Sequence, residues 1–192
     1  MKKLFFILCL FTICQANAQD YGSNNMGFFI GFGSNQVRQG SGDGGPVFDT
    51  GGSFQFGLSY SKYLNSNLAV ETALSYLETE IERSPAAGLG LSPTTLPLEL
   101  VSLRAGLKYS FLRFLFVNGG LLLDFDVEND IIDPQTGLGF GLGIGAEYIF
   151  SSGLNIFVNP FLNQHAIIPF RKEDSHQRLL DGGVKLGVGY RF

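Results

Sequence analysis

The sequence of 192 residues predicts an all-β fold, an eight-stranded antiparallel up-and-down transmembrane β-barrel. Three observations carry that expectation. Apolar residues recur with a period of two, the strand period, and not with the 3.6-residue period of a helix. The connections between the alternating segments run long, short, long, short. The composition is apolar (45%) yet low in charge (16%) and holds 26 glycines, a poor match for a soluble helical protein or a disordered chain. No run of about 20 apolar residues is present, which excludes a helical span. The net charge of −4 argues against nucleic acid as a partner.

Residues 1–18 read as a secretory signal peptide. Lys2 and Lys3 form its basic start, Leu4 to Cys14 its apolar run, and Ala16-Asn17-Ala18 its cleavage pattern. Cleavage there leaves 19–192 as the barrel domain. It removes Cys9 and Cys14, so no disulfide framework is expected. It also leaves 11 basic residues against 17 acidic ones, a net charge of −6.

The eight expected strands are 27–34, 54–63, 68–77, 101–111, 114–127, 138–150, 154–163 and 180–192. Most approach the nine to eleven residues that a tilted strand needs to cross a membrane. The last is the clearest. Leu180, Gly182, Val184, Leu186, Val188, Tyr190 and Phe192 share one face, and Asp181, Gly183, Lys185, Gly187, Gly189 and Arg191 the other. Two positions resist. Glu99 falls on the apolar face of its strand, so a bulge near Leu100 is expected to return it to the interior. Pro160 cannot donate a ladder hydrogen bond, so an irregularity is expected there.

The connections are 35–51, 64–67, 78–97, 112–113, 128–137, 151–153 and 164–178. Short turns at one end and long loops at the other suit a barrel with periplasmic turns and extracellular loops. The four even-numbered strands repeat Gly-x-x-Tyr, from Gly57 to Tyr60, Gly106 to Tyr109, Gly145 to Tyr148 and Gly187 to Tyr190. Period two puts the glycines inside. It puts Tyr60, Tyr109, Phe111, Tyr148, Phe150, Tyr190 and Phe192 outside at the periplasmic rim, as an aromatic girdle.

The polar face decides which way the apolar face points. Glu71, Arg104, Lys108, Asp124, Glu147, Asp181, Lys185 and Arg191 lie on it, four acids with four bases. Facing inward, they form a lumen polar network in a cylinder just wide enough for side chains to fill. The opposite face carries almost no charge, unlike a surface that meets water.

The signal peptide, the alternating strands and the ending Gly187-Val188-Gly189-Tyr190-Arg191-Phe192 resemble the small outer-membrane β-barrel proteins of the OmpA/OmpX-like, porin-like superfamily. Leu98 to Tyr109 and Gly139 to Tyr148 resemble its outer-membrane barrel domain. The resemblance implies residence in the outer membrane of a double-membraned bacterium. It implies contact with outer-membrane lipid and lipopolysaccharide. It also implies that Tyr190 and Phe192 carry the signal read by the barrel-assembly machinery. It implies little about activity, because the superfamily includes anchors, adhesins and lipid-modifying enzymes.

Candidate chemistry is sparse, and no cofactor is expected. Gly139 to Gly145 has GxGxGxG spacing with no helix after it, which suits a strand and not a phosphate cradle. Asp124, Asp126, Glu128, Asp130 and Asp133 lack the glycine of a calcium loop, and Gln135 stands where its bidentate Glu belongs. His165 and His176, in the last long loop with Glu173 and Asp174, do not supply a converging zinc set. Outer-membrane lipid enzymes place a His with a Ser and a carboxylate near the membrane surface, and His165 and loop serines such as Ser92 leave that open. The leading expectation is a structural or surface-interaction protein with no open pore and no catalysis. Any extracellular ligand is then expected at loops 35–51, 78–97, 128–137 or 164–178. A narrow or gated channel, a lipid-modifying enzyme and a soluble lipocalin-like binder remain as alternatives.

Overall fold

A computed structural model describes residues 23–38, 47–49, 51–84, 92, 94–112, 114–129, 132, 134–170 and 177–192. The signal peptide, together with Asp130, Asp133, Glu173, Asp174 and His176, lies outside the described residues. Eight long strands follow one another: β1 (Asn24–Arg38), β2 (Gly52–Tyr63), β3 (Leu68–Ser84), β4 (Thr94–Phe111), β5 (Leu115–Asn129), β6 (Gly137–Ile149), β7 (Leu154–Pro169) and β8 (Arg178–Arg191). A short strand, Val47–Asp49, pairs with the far end of β3.

Each long strand pairs antiparallel with its neighbours in sequence, and β1 pairs with β8 from Asn25↔Arg191 to Arg38↔Arg178. The sheet is therefore a closed up-and-down barrel with no free edge along its wall. The seam is tied at the rim, where Asn24 N–H donates to Phe192 O at 2.7 Å and Phe192 N–H to Asn24 O at 2.9 Å.

The apolar face points outward. Leu107, Leu121, Leu142, Leu162 and Val188 are each more than half exposed, and they stand on five different strands. A water-soluble barrel around an apolar ligand would bury this face, so the lipocalin-like alternative falls on burial alone.

At the short-turn end the strand ends match expectation within a residue, except that β1 begins at Asn24, three residues before the expected start at 27. At the long-loop end the strands run further. β3 continues to Ser84 and β4 begins at Thr94, so most of 78–97 is a projecting hairpin and not a loop. The other three long connections shrink in the same way, because β1 reaches Arg38, β5 reaches Asn129 and β7 reaches Pro169. In β3 and β4 the period of two persists beyond the lipid belt, but its sign inverts. In β3, Leu77 and Ile81 turn inward and are buried, while Glu78 and Glu80 face out and are exposed. In β4, Leu98 and Leu100 are fully buried and Glu99 stays on the outer phase with Val101. Water replaces lipid outside at this height, so charge outside and carbon inside becomes the favourable arrangement.

This corrects the expectation for Glu99, which does not turn inward. A register shift does occur between Glu99 and Leu100, but the extra residue is Val127 on the facing strand. The Pro160 expectation holds in form. Ile144 and Gly145 lack ladder partners opposite Pro160 and Asn159, and the register on either side is unchanged. A larger irregularity lies higher, between Leu138↔Ile168 and Phe140↔Gln164, where three residues of β7 oppose one of β6. Ala166, at its centre, has φ of 45°, in the left-handed region.

The Gly-x-x-Tyr repeat has a steric cause. Phe29 opposes Gly57, Phe116 opposes Gly145 and Phe157 opposes Gly187. A Cβ on those glycines would lie 2.7, 2.5 and 2.3 Å from the Cζ of the facing ring. Each inward phenylalanine therefore lies down over the glycine beside it. The fourth repeat is different: Gly106 faces Gly120, and a Cβ on either would stand 2.6 Å from the other Cα.

Gly187→Val is expected to destabilise the folded barrel by about 1–3 kcal/mol, the usual cost of overpacking. Urea unfolding in detergent micelles measures it. Gly52→Ala, where a Cβ meets nothing within 4 Å, should leave the midpoint unchanged.

Candidate functional site

The inward residues stack in layers from the short-turn rim to the long-loop rim. The lowest layer centres on Glu147, which accepts hydrogen bonds from Lys108 Nζ at 2.9 Å, Asn25 Nδ2 at 3.2 Å and the Tyr63 hydroxyl at 3.4 Å. Both members of the Lys108–Glu147 ion pair are buried. Asn155 donates to Asn25 Oδ1 at 2.8 Å and extends the network. Arg191 lies with its guanidinium over the Tyr63 ring at 4.3 Å and donates to Ser23 Oγ at 2.7 Å.

The middle layer mixes cations with rings. Lys108 also sits over Phe116 at 4.3 Å, and Lys185 sits over Phe161 at 4.5 Å and Phe29 at 5.0 Å. Arg104 donates to the Gly141 carbonyl at 3.2 Å, and Glu71 accepts from Asn118 at 2.9 Å. The lumen charges therefore do not resolve into four ion pairs. Rings and carbonyls take the places that carboxylates would fill for Arg104 and Lys185, since a ring face attracts a desolvated cation.

The upper layer holds two fully buried carboxylates. Asp181 accepts from Ser53 at 2.7 Å and Gln55 at 3.4 Å. Asp124 accepts from the Ser102 hydroxyl at 2.5 Å and lies 3.1 Å from His165 Nδ1. His165 is thus not a loop residue. It points into the barrel from β7 and is 2% exposed. It lies on the strand and not in the expected loop because β7 runs on to Pro169. The order here is Ser–Asp–His, with the carboxylate between the other two, which is not the nucleophile–base–orienter order of a hydrolytic triad.

The acidic run from Asp124 is also divided. Asp124 belongs to the lumen, while Asp126 accepts from the Gln135 backbone N–H at 2.8 Å and closes the turn that follows. Gln135 in turn bonds across to the last connection. Its Nε2 donates to Gln177 O at 3.0 Å, and its Oε1 accepts from Leu179 N–H at 2.9 Å. Among the described residues no group of three or more His, Cys, Asp and Glu could hold a metal ion.

Above the carboxylates an apolar cluster shares the lumen with the buried polar residues Asn35, Thr79, Gln135 and Gln177. Leu77, Ile81, Leu98, Leu100, Ile132 and Leu179 form one buried cluster, with Val37 packed against it. No signal sought in the sequence found this layer. The inverted alternation of 77–81 and 98–100 would have done so.

On the outside, Tyr109, Tyr148, Phe150, Tyr190 and Phe192 are exposed at the short-turn rim, and Tyr60 and Phe111 are half-buried there. Tyr148 packs edge-on against Phe150 at 4.9 Å and stacks on Phe114 at 5.8 Å, and Tyr190 stacks on Phe192 at 6.4 Å. A second row of rings, Phe32, Phe54, Phe56 and Tyr76, runs across β1–β3 towards the other rim. Glu78 stands directly above it, opposite Phe54.

Removing one partner of the buried ion pair should cost more than removing both. Lys108→Met leaves Glu147 charged and unpaired, an expected loss of about 3–5 kcal/mol. Lys108→Met with Glu147→Leu should recover most of it. Paired denaturation curves of the two variants measure the difference.

No curated protein matches the chain. Among solved structures, similarity extends to Ail, the attachment invasion locus protein of Yersinia pestis, in complex with the heparin analogue sucrose octasulfate. The identity is 16% and the TM-score 0.48, over 90% of this chain and 100% of that one. The N-terminal β-barrel domain of Pseudomonas aeruginosa OprF is 20% identical with a TM-score of 0.40, over 88% and 99%. Outer membrane protein W of E. coli is 16% identical with a TM-score of 0.39, over 91% and 100%. The family described as outer membrane protein beta-barrel domain matches residues 6–192, and the chain belongs to that family.

Proposed function

We propose that this outer-membrane barrel has a structural or surface-interaction role, with no open pore and no catalytic centre. The observation that carries this reading is the filling of the lumen in successive layers. Polar groups bond to one another at the periplasmic end, cations lie against rings in the middle, and an apolar cluster spans the extracellular end. A hydrophobic constriction disfavours a continuous water column even where it is not sterically tight. The absence of catalysis is supported by His165, which faces the lumen and has no contact with the lipid surface where a lipid substrate would lie.

Surface interaction falls to the extracellular end. β3 and β4 have 17 and 18 residues, where about nine to eleven cross a membrane. Their hairpin therefore stands above the lipid and presents Glu78 and Glu80 outward, next to lipopolysaccharide headgroups or an extracellular partner. Export by the signal peptide and recognition of Tyr190 and Phe192 by the barrel-assembly machinery complete the reading.

In planar bilayers the native protein should give no steady conductance, and a stable open level would overturn the pore-free reading. Leu98→Ser with Leu100→Ser wets the apolar layer and should raise the frequency of openings. Deleting Phe192 should lower the amount of heat-modifiable barrel in outer-membrane fractions. Unchanged assembly would remove the terminal signal from this account.

A further inference from the structure

We propose that a cavity in the middle of the lumen is a binding site for one monatomic anion of the halide class, held between Lys185 and Arg104. The cavity measures about 40 Å³, and its charged lining is Glu71, Arg104, Lys108, Glu147 and Lys185. About 10–15 Å³ holds one water, so the space suits a halide with at most a few waters.

The lining has three cations for two carboxylates, and these are unevenly matched. Lys108 and Glu147 satisfy each other at 2.9 Å. Glu71 accepts from Asn118. Arg104 has five N–H donors, and its hydrogen bond goes to a neutral carbonyl, that of Gly141. Lys185 is 7% exposed and has only the two rings, so among the described residues its three N–H donors meet no acceptor. The next carboxylate along β8 is Asp181, which accepts from Ser53 and Gln55 and, among the described residues, makes no ion pair with Lys185.

Glu71 is then the one carboxylate of the lining left to balance both Lys185 and Arg104; a buried cation in excess of its counter-charges is costly, and unfilled donors add to the cost. Water fills donors but brings no charge. An anion between Lys185 and Arg104 does both, and the low dielectric of a closed lumen strengthens the attraction. Asn159 also lines the cavity, and its Nδ2 is turned to Asn118 Oδ1 at 3.4 Å.

Bromide is the probe. The protein is refolded and crystallised in sodium bromide, and data are collected at the bromine edge. An anomalous peak within contact distance of Lys185 Nζ and Arg104 is the expected result, and solvent density there without anomalous signal overturns the proposal. In solution, melting is followed in chloride and in gluconate at equal ionic strength. Chloride should raise the Tm of the native barrel in a saturable manner. Lys185→Met should remove that dependence, whereas Lys62→Met, on the outer face, should keep it. Arg104→Met serves as the second variant where Lys185→Met does not fold. A chloride effect that persists when either cation is removed also overturns the proposal.

Discussion

The width of an eight-stranded cylinder governs the rest of this molecule. Every second residue of each strand must enter a space that side chains just fill, so interior volume is the scarce quantity. The Gly–Phe cross-strand pairs follow from it. Phe29, Phe116 and Phe157 would each collide with any side chain larger than hydrogen at Gly57, Gly145 and Gly187. Where no ring enters, as at Gly106 and Gly120, the two backbones approach each other instead. Glycine, usually a weakness in a strand, here creates the room in which the interior is built.

The second governing condition is the solvent outside, which changes along the strand while the period does not. Across the lipid belt the outer face is carbon and the inner face polar. Above it, on β3 and β4, the outer face carries Glu78, Glu80 and Glu99, and the inner face Leu77, Ile81, Leu98 and Leu100. A single strand thus serves first as a membrane strand and then as part of a soluble one. The apolar cluster at the long-loop mouth is the core of that soluble part.

This inversion marks how far the sequence is legible. Strand number, pairing and the short-turn boundaries follow from alternation, because the hairpins Tyr63–Leu68, Phe111–Leu115 and Ile149–Leu154 leave little freedom. The long-loop boundaries do not, because an apolar outer face marks a strand only where lipid lies outside it. Glu99 is the clearest case. Its position looks anomalous only if lipid is assumed beside it. The lumen residues are legible as a set, but their partners are not. Ring contacts of Lys185 and the meeting of Asp124 with His165 depend on register around the whole barrel, and the register between β6 and β7 shifts at Ala166.

Stacking cations on rings has a consequence beyond packing. A lumen closed by pairwise salt bridges can open by exchanging partners, since each charge finds a new one a few ångströms away. Lys185 between Phe29 and Phe161, and Lys108 bound at once to Phe116 and Glu147, have as a further carboxylate in their cavity only Glu71, which is itself held by Asn118. Moving either ammonium would leave it unsolvated in a space that admits few waters. A barrel filled in this way resists rearrangement along its membrane span, and under the proposed role the contacts with partners fall to the end where β3 and β4 project. That division suits a protein whose span serves as an anchor and whose rim meets the surroundings.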